Sequence, residues 1–166
     1  MPRKRKRVGL LKLKALLLSA MLLASCNGTV YHCFEQVDDS GWAADDTLSF
    51  VYEGSAMAPV GSQVEYAVQL RYGADYGYKN LCVRVESWSL CDSIMLSVDT
   101  LYCPIYDDNG RRVGSTVGAM YQSGSETMPL TALCTDTLLF KVSHIMDANP
   151  LQDIFDIGVR LTAVKR

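Results

Sequence analysis

Beyond residue 25 this chain has no stretch in which apolar residues recur at i, i+3, i+4 and i+7 for three turns. A helical bundle is thereby excluded, because a packed helix needs that stripe to bury one face. Histidine is nearly missing. Only His32 and His144 are present, and no Gly-x-Ser-x-Gly elbow occurs, whereas nucleophilic catalysis needs a base beside its nucleophile. There is no CxxC pair, no histidine pair at ligand spacing and no glycine-rich loop after a strand. Zinc sites, thiol redox motifs and phosphate cradles therefore have no sequence support. Long apolar runs are absent too: Ala15–Ser25 has eleven residues, about 17 Å as a helix against roughly 30 Å of hydrocarbon.

That short run is where the positive content begins. Arg3, Lys4, Arg5, Lys6, Arg7, Lys12 and Lys14 precede it, and Leu23-Ala24-Ser25-Cys26 closes it. A basic head, a short apolar body and a small-residue exit make a secretory signal whose positive end stays in the cytoplasm. The tetrapeptide resembles a bacterial lipobox, in which one aliphatic and two small residues precede a cysteine that is freed and lipidated. The expectation is a cleaved lipoprotein signal peptide over residues 1–25. Cys26 is then the lipid attachment site, with diacylglycerol on its sulfur and an acyl group on its amine. Two or three acyl chains anchor stably where one is marginal. The alternatives are an ordinary cleaved signal with a coincidental cysteine, or an uncleaved anchor.

Positive charge is scarce in what remains. The whole chain has net charge −2, and residues 1–25 hold seven of its sixteen Lys/Arg and none of its eighteen Asp/Glu. Nine basic side chains then face eighteen acidic ones, a net charge of −9. Nucleic acid is excluded as a partner, and so is docking on anionic lipid through a basic patch. The remaining length suits one domain with a core of its own. Beyond Cys26 the cysteines are Cys33, Cys82, Cys91, Cys103 and Cys134. An odd number leaves at least one thiol unpaired in a monomer. Most are expected as small buried hydrophobes, with Cys82–Cys91 the nearest pair in sequence for a single bridge.

The rest reads as strands. Thr47–Tyr52 is short and rich in aromatic and branched residues. Val64, Tyr66, Val68, Leu70 and Tyr72 alternate with Glu65, Ala67, Gln69 and Arg71, the period of a half-buried strand. Leu81/Val83/Val85, Leu101/Cys103/Ile105, Leu138/Phe140/Val142 and Ile157/Val159/Leu161 repeat the pattern. Gly73–Gly77 joins two strands, and Asn109-Gly110 predicts a type I′ hairpin turn. That turn would set Asp108 opposite Arg111 and Asp107 near Arg112. Gly118 stands twelfth from Asp107, where an EF-hand needs glutamate, so the turn is no calcium loop. The fold class expected is all-β, an antiparallel β-sandwich of about seven to eight strands following the cleaved signal peptide. Residues 26–46 are expected as lipidated N-terminus and tether, and 47–166 as the sandwich. One helical turn is conceivable at Asp147–Leu151, limited by Pro150.

Candidate chemistry is sparse. His144 ends a strand, and Asp153 and Asp156 would face it if the last strand pairs locally. A hydrolase or a metal site there is the weakest reading, and a hydrogen-bonded core histidine is the stronger one. His32 lies too near the anchor for a rigid site. Asp38-Asp39 and Asp45-Asp46 flank Gly41-Trp42 in a turn-rich stretch, where aspartates usually cap turns. Trp42, Trp88 and the Tyr72/Tyr76/Tyr78 cluster offer a sugar-stacking platform, set against the ordinary use of tyrosine to bury its ring and wet its hydroxyl. The expectation is no catalytic residue, no metal and no cofactor.

Several segments, taken in order, resemble the GldH family of gliding-motility-associated lipoproteins of the Bacteroidota. They are Cys26 with Val30-Tyr31-His32, Trp42–Leu48, Leu70-Arg71-Tyr72, Tyr76–Leu81, Asp99-Thr100-Leu101, Asn109-Gly110, His144-Ile145-Met146 and Leu151–Leu161. Gly77 stands where proline is expected and Asp153 where glycine is expected. The resemblance implies a non-enzymatic, lipid-anchored accessory or structural component of an envelope motility and secretion complex, with lipidation at Cys26 the only site that transfers. Its partners would be the membrane, through the lipid on Cys26, and another envelope protein. Asn27-Gly28-Thr29-Val30 lacks an acidic surface-export cluster, which implies a periplasm-facing protein, and Asn27 favours the outer membrane. The rival reading is a periplasmic glycan- or peptidoglycan-binding lipoprotein.

Overall fold

A computed structural model describes residues 28–54 and 61–164. The signal peptide and Cys26 lie outside the described residues. Within them the chain is all β, with ten strands and no helix. In chain order these are β1 (Thr29–Gln36), β2 (Leu48–Tyr52), β3 (Gln63–Tyr72), β4 (Asn80–Ser89), β5 (Ile94–Pro104), β6 (Ser115–Val117), β7 (Met120–Gly124), β8 (Met128–Leu133), β9 (Leu138–His144) and β10 (Ile154–Val164).

Every pairing is antiparallel. One sheet runs β1-β10-β3-β7-β6, with β8 also on β3, and the other runs β2-β9-β4-β5. The period of two decides which faces meet. Val64, Tyr66, Val68, Leu70 and Tyr72 of β3 are fully buried, with Ile157, Val159 and Leu161 of β10 beside them. Phe50 of β2, Leu81, Val83 and Val85 of β4, and Leu138, Phe140 and Val142 of β9 face them from the other sheet. The sandwich expected from alternation is present, with ten strands where seven or eight were expected.

The additional strands bury little: β1, β6 and β7 have at most one buried residue each, and β8 has two, Leu130 and Ala132. β1 lies in the stretch expected as tether, yet Tyr31 to Gln36 pair with Leu161 to Asp156 of β10. Val37 and Trp42 are core residues, so the sandwich takes in Thr29–Gln36, Val37 and Trp42 and is not confined to residues 47 onward. An edge strand buries too little to announce itself. β7 and β8 are short and divide β3 between them, β7 on Gln69–Tyr72 and β8 on Gln63–Tyr66. Ser125 fills the gap: its amide donates to the Val68 carbonyl, and its hydroxyl accepts from the Val68 amide.

Three local expectations change. The Asn109-Gly110 reversal is a hairpin with a three-residue loop: the Asp107 amide bonds the Arg111 carbonyl, and Gly110 takes φ 73°. The Asp107 carboxylate accepts from the Asn109 and Arg111 amides, so it folds its own turn rather than pairing with Arg112. Asp108 pairs with Lys79 at 2.7 Å, not with Arg111. Residues 147–151 form no helical turn. No bridge joins Cys82 to Cys91, and the described cysteines are all free. Cys82 is the third residue of β4 while Cys91 lies beyond its other end, about 30 Å of extended chain away, against the roughly 6 Å a disulfide spans.

The reversals collect at two opposite ends. At one, β1 begins beside the end of β10, where the Ala163 amide bonds the Gly28 carbonyl. Val164 there pairs with Gln63, and Gln63 with Leu133. The other sheet reaches the same end, since the Tyr52 hydroxyl donates to the Cys134 carbonyl and the Leu90 amide to the Thr137 carbonyl. We call this the proximal end. The distal end holds residues 37–46, 73–79, 105–114 and 145–153.

Candidate functional site

His144 was the first candidate base. It closes β9 at the distal end and is 2 % exposed. Its Nε2 lies 3.0 Å from the Trp42 carbonyl, and the Met146 amide donates to its Nδ1. Both ring nitrogens are therefore engaged, and the pattern assigns the neutral imidazole with its proton on Nε2. Burial holds the group below its usual titration range, opposed by the bond to Trp42. The Trp42 ring meets it edge-on with centroids 5.2 Å apart. Trp42 is itself pinned by a two-way backbone bridge to Leu151 and by Nε1–H donation to the Asp46 carbonyl. His144 is a strut joining the 37–46 loop to the sandwich, as the core reading expects.

Asp153 and Asp156 do not join it. Asp156 lies within β10 and forms an ion pair with Arg71 at 3.7 Å. Asp153 takes φ 66°, with its side chain packed over Gly73. β10 pairs with β1 and β3, whereas β9 lies in the other sheet, so the last strand never reaches His144. Asp153 instead lines a cleft of about 220 Å³ with Asp38, Asp39, Gly41 and Gln152. That is below the usual range for a ligand pocket. The Asp38 carboxylate caps the Ser40 amide, and hydrogen bonding from the Ser40 side chain, and then from that amide, holds it below the ordinary carboxylate range. Among the described residues no three His, Cys, Asp or Glu side chains come together as a metal site.

His32 is more firmly placed than its sequence position suggests. It sits on β1 with Nε2 2.6 Å from the Gln69 Oε1. The thiols offer no nucleophile in the core, since burial pushes Cys103 up to about 12 and also raises Cys134.

Most of the aromatic candidates are core. Trp42 and Tyr72 are fully buried, Tyr76 is nearly so, and only Tyr78 of the tyrosine cluster is exposed. Trp88 is half-buried on β4, with the Lys141 Nζ 5.9 Å above its ring. Tyr76 stacks between Tyr72 and Tyr78 and donates its hydroxyl to the Asn80 carbonyl. The rings of this row meet edge to face, and only that of Tyr78 is open to solvent. Two features had no signal in the sequence. Arg112 lies 4.3 Å from the Tyr121 ring centroid and 4.9 Å from that of Tyr106, and it donates to the Ala74 carbonyl. Inside the sandwich, Tyr66 donates to Asp99 at 2.6 Å, Ser97 donates to the same oxygen, and Ser87 meets Ser97 at 2.7 Å. Burial and the Asp99 bond both drive the Tyr66 phenol upward, so it remains a donor. Each partner comes from a distant strand, which single-strand patterns do not reveal.

The described surface thus holds no convergent acid, base and nucleophile. Comparison with known proteins gives the identity. The family model described as GldH lipoprotein matches residues 29–161, from the first residue of β1 to within three residues of the end of β10. This chain belongs to the GldH lipoprotein family. As a GldH-family lipoprotein it is assigned by that name to the membrane-anchored proteins of the cell envelope. No curated protein matches the chain. Among solved structures, one from the infectious bursal disease virus Gx strain aligns at 10 % identity and a TM-score of 0.27. It covers 85 % of this chain, which spans 35 % of the viral chain. A likeness at that level bears on neither fold nor function.

Proposed function

We propose that this GldH-family protein is a lipid-anchored, non-enzymatic accessory component of an envelope complex serving gliding motility and secretion. Cys26 carries the lipid, and the domain faces the periplasm from the outer membrane. The observation that carries the reading is the family match over residues 29–161, which starts three residues after the cysteine of the Leu23-Ala24-Ser25-Cys26 lipobox. The polar groups nearest to a catalytic set support it. His144 has both nitrogens engaged, and Asp156 is paired with Arg71, as suits parts that hold a shape. The mechanism is tethering: the lipid fixes the domain at the membrane, and its distal end, with most of the family-like segments, meets another envelope protein.

Two measurements test this. Labelled palmitate is expected on the wild-type polypeptide and not on Cys26→Ser, which should leave the membrane fraction. Crosslinking in cells is expected to trap an envelope protein through distal residues such as Tyr78 or Ile145, both exposed. Equal membrane retention of Cys26→Ser would remove the anchor. Crosslinking that recovers no envelope protein would remove the accessory role.

A further inference from the structure

Among the described residues, five of the eleven exposed large hydrophobic side chains gather at the proximal end: Val51, Leu90, Ile94, Met95 and Leu133, each between 43 and 51 % exposed. The register makes part of this set continuous. Val51 pairs with Leu139, Leu139 with Trp88, and Trp88 with Met95, one row across all four strands of the second sheet. At a strand spacing of about 4.8 Å, three steps give a band of roughly 14 Å. Leu90 and Ile94 bracket the β4–β5 turn directly beyond it, and Leu133 ends β8 on the same end of the sandwich. A cluster of this kind marks a surface that is covered in use.

The chain itself indicates the cover. Gly28 sits at this end, bonded to Ala163, and Cys26 precedes it by two residues. Three residues of chain reach at most about 10 Å, so a lipid on Cys26 draws the proximal end, rather than the distal one, onto the bilayer. Among the described residues the charges at this end are acidic, which fits a particular headgroup layer. Glu53 and Asp92 are exposed here, and Asp92 and Asp136 hold the Ser89 hydroxyl and the Leu133 amide. Acidic groups beside apolar ones oppose an anionic surface and tolerate a zwitterionic one.

We infer that the proximal end is a second membrane contact, in which the β4–β5 tip and the Val51–Met95 row enter the interfacial layer of the zwitterionic bilayer that holds the anchor. The lipid supplies the attachment, and the apolar tip sets the orientation, standing the long axis of the sandwich away from the membrane with its distal end outward. The inference rests on the Cys26 anchor proposed above.

Exposed Cys91, between Leu90 and Ile94, is a native reporter. Full-length lipidated protein is placed in phosphatidylcholine vesicles at less than one copy per vesicle, and flotation and the rate of Cys91 reaction with a bulky water-soluble maleimide are measured. The wild type and a Leu90→Gln/Ile94→Gln/Met95→Gln variant are both expected to float, with Cys91 at least tenfold slower in the wild type. Should the triple variant lose its melting transition, Cys91 is compared instead with a thiol placed at the exposed distal turn by Asn109→Cys, with the same tenfold expected. Floating protein whose Cys91 reacts at the reference rate overturns the inference and leaves the anchor standing. Protection seen only at several copies per vesicle means a second copy covers the patch, and also overturns it. Protein that does not float overturns both readings.

Discussion

Asp153 holds φ 66°, a conformation costing an L-residue roughly 1–2 kcal/mol and glycine very little. This explains why glycine is the residue the family resemblance leads one to expect there. Aspartate is among the few others that tolerate the region, and it has room because Gly73 lies beneath it. A Cβ at Gly73 would fall 2.0 Å from the Asp153 Oδ1. The other oxygen, Oδ2, is buried without a hydrogen-bond partner among the described residues. Asp153→Gly is therefore expected to raise stability by about 1 kcal/mol, and Asp153→Val to lower it by about 1–2 kcal/mol. A melting midpoint that falls in the glycine variant refutes this account. His144 gives a pH dependence. Burial depresses it, so above the ordinary histidine value of about 6.5 both folded and unfolded chains are neutral there and the group costs nothing. As pH falls below that value the unfolded chain takes up the proton first, and stability drops until the folded value is passed. Denaturation midpoints measured from pH 7.5 to 5 should fall more steeply for the wild type than for His144→Gln. Parallel curves would show that His144 contributes nothing.

Strands with one buried face declare themselves, and strands placed by their neighbours do not. β3, β4 and β9 alternate because one face meets the core. β1 shows only partial burial along its length, and its position depends on β10. The contact between these two includes Gly158, over which the Phe34 ring lies. A Cβ there would meet Phe34 at 2.7 Å and the Cys33 carbonyl at 2.9 Å. Phe34 in turn carries the Arg71 guanidinium 3.8 Å from its ring centroid, so one glycine lets an edge strand, an aromatic ring and a cation stack. Gly158→Ala is expected to destabilise by about 1–3 kcal/mol, read as a lower denaturant midpoint with an unchanged slope. An unchanged midpoint would mean that β1 shifts freely and contributes little. The misjudged Cys82–Cys91 bridge belongs to this scale as well, because nearness in sequence is distance along an extended strand.

Across the whole molecule, hydroxyls strap one sheet to the other, that of Ser123 on β7 to the Pro104 carbonyl of β5 among them. Tyr66 on β3 reaches Asp99 on β5, and Tyr52 on β2 reaches the Cys134 carbonyl after β8. A hydrogen bond to a charged group contributes about 1.5–3 kcal/mol. Tyr66→Phe should therefore lose roughly that amount while the ring keeps its place against Phe140, whose centroid is 5.2 Å away. A stability loss under 0.5 kcal/mol, about the floor for such bonds, would show the strap to be dispensable. The molecule also has distinct ends. Apolar side chains crowd the one beside Gly28, while the other holds the Trp42–His144 strut and the Arg112 aromatic cluster. No helix of the described residues is long and apolar enough to cross a membrane.

Local alternation by itself determined the all-β class, five of the strands and most of the core, because a period of two is imposed residue by residue wherever one face is dry. Composition determined the acidic domain, and the order of short segments pointed to the family. Tertiary structure alone decided that residues 29–36 are a strand, that His144 and Asp156 lie in separate sheets, and that Tyr66 finds Asp99. These are pairings between distant segments, and their free energy comes from partners that no single stretch of chain contains.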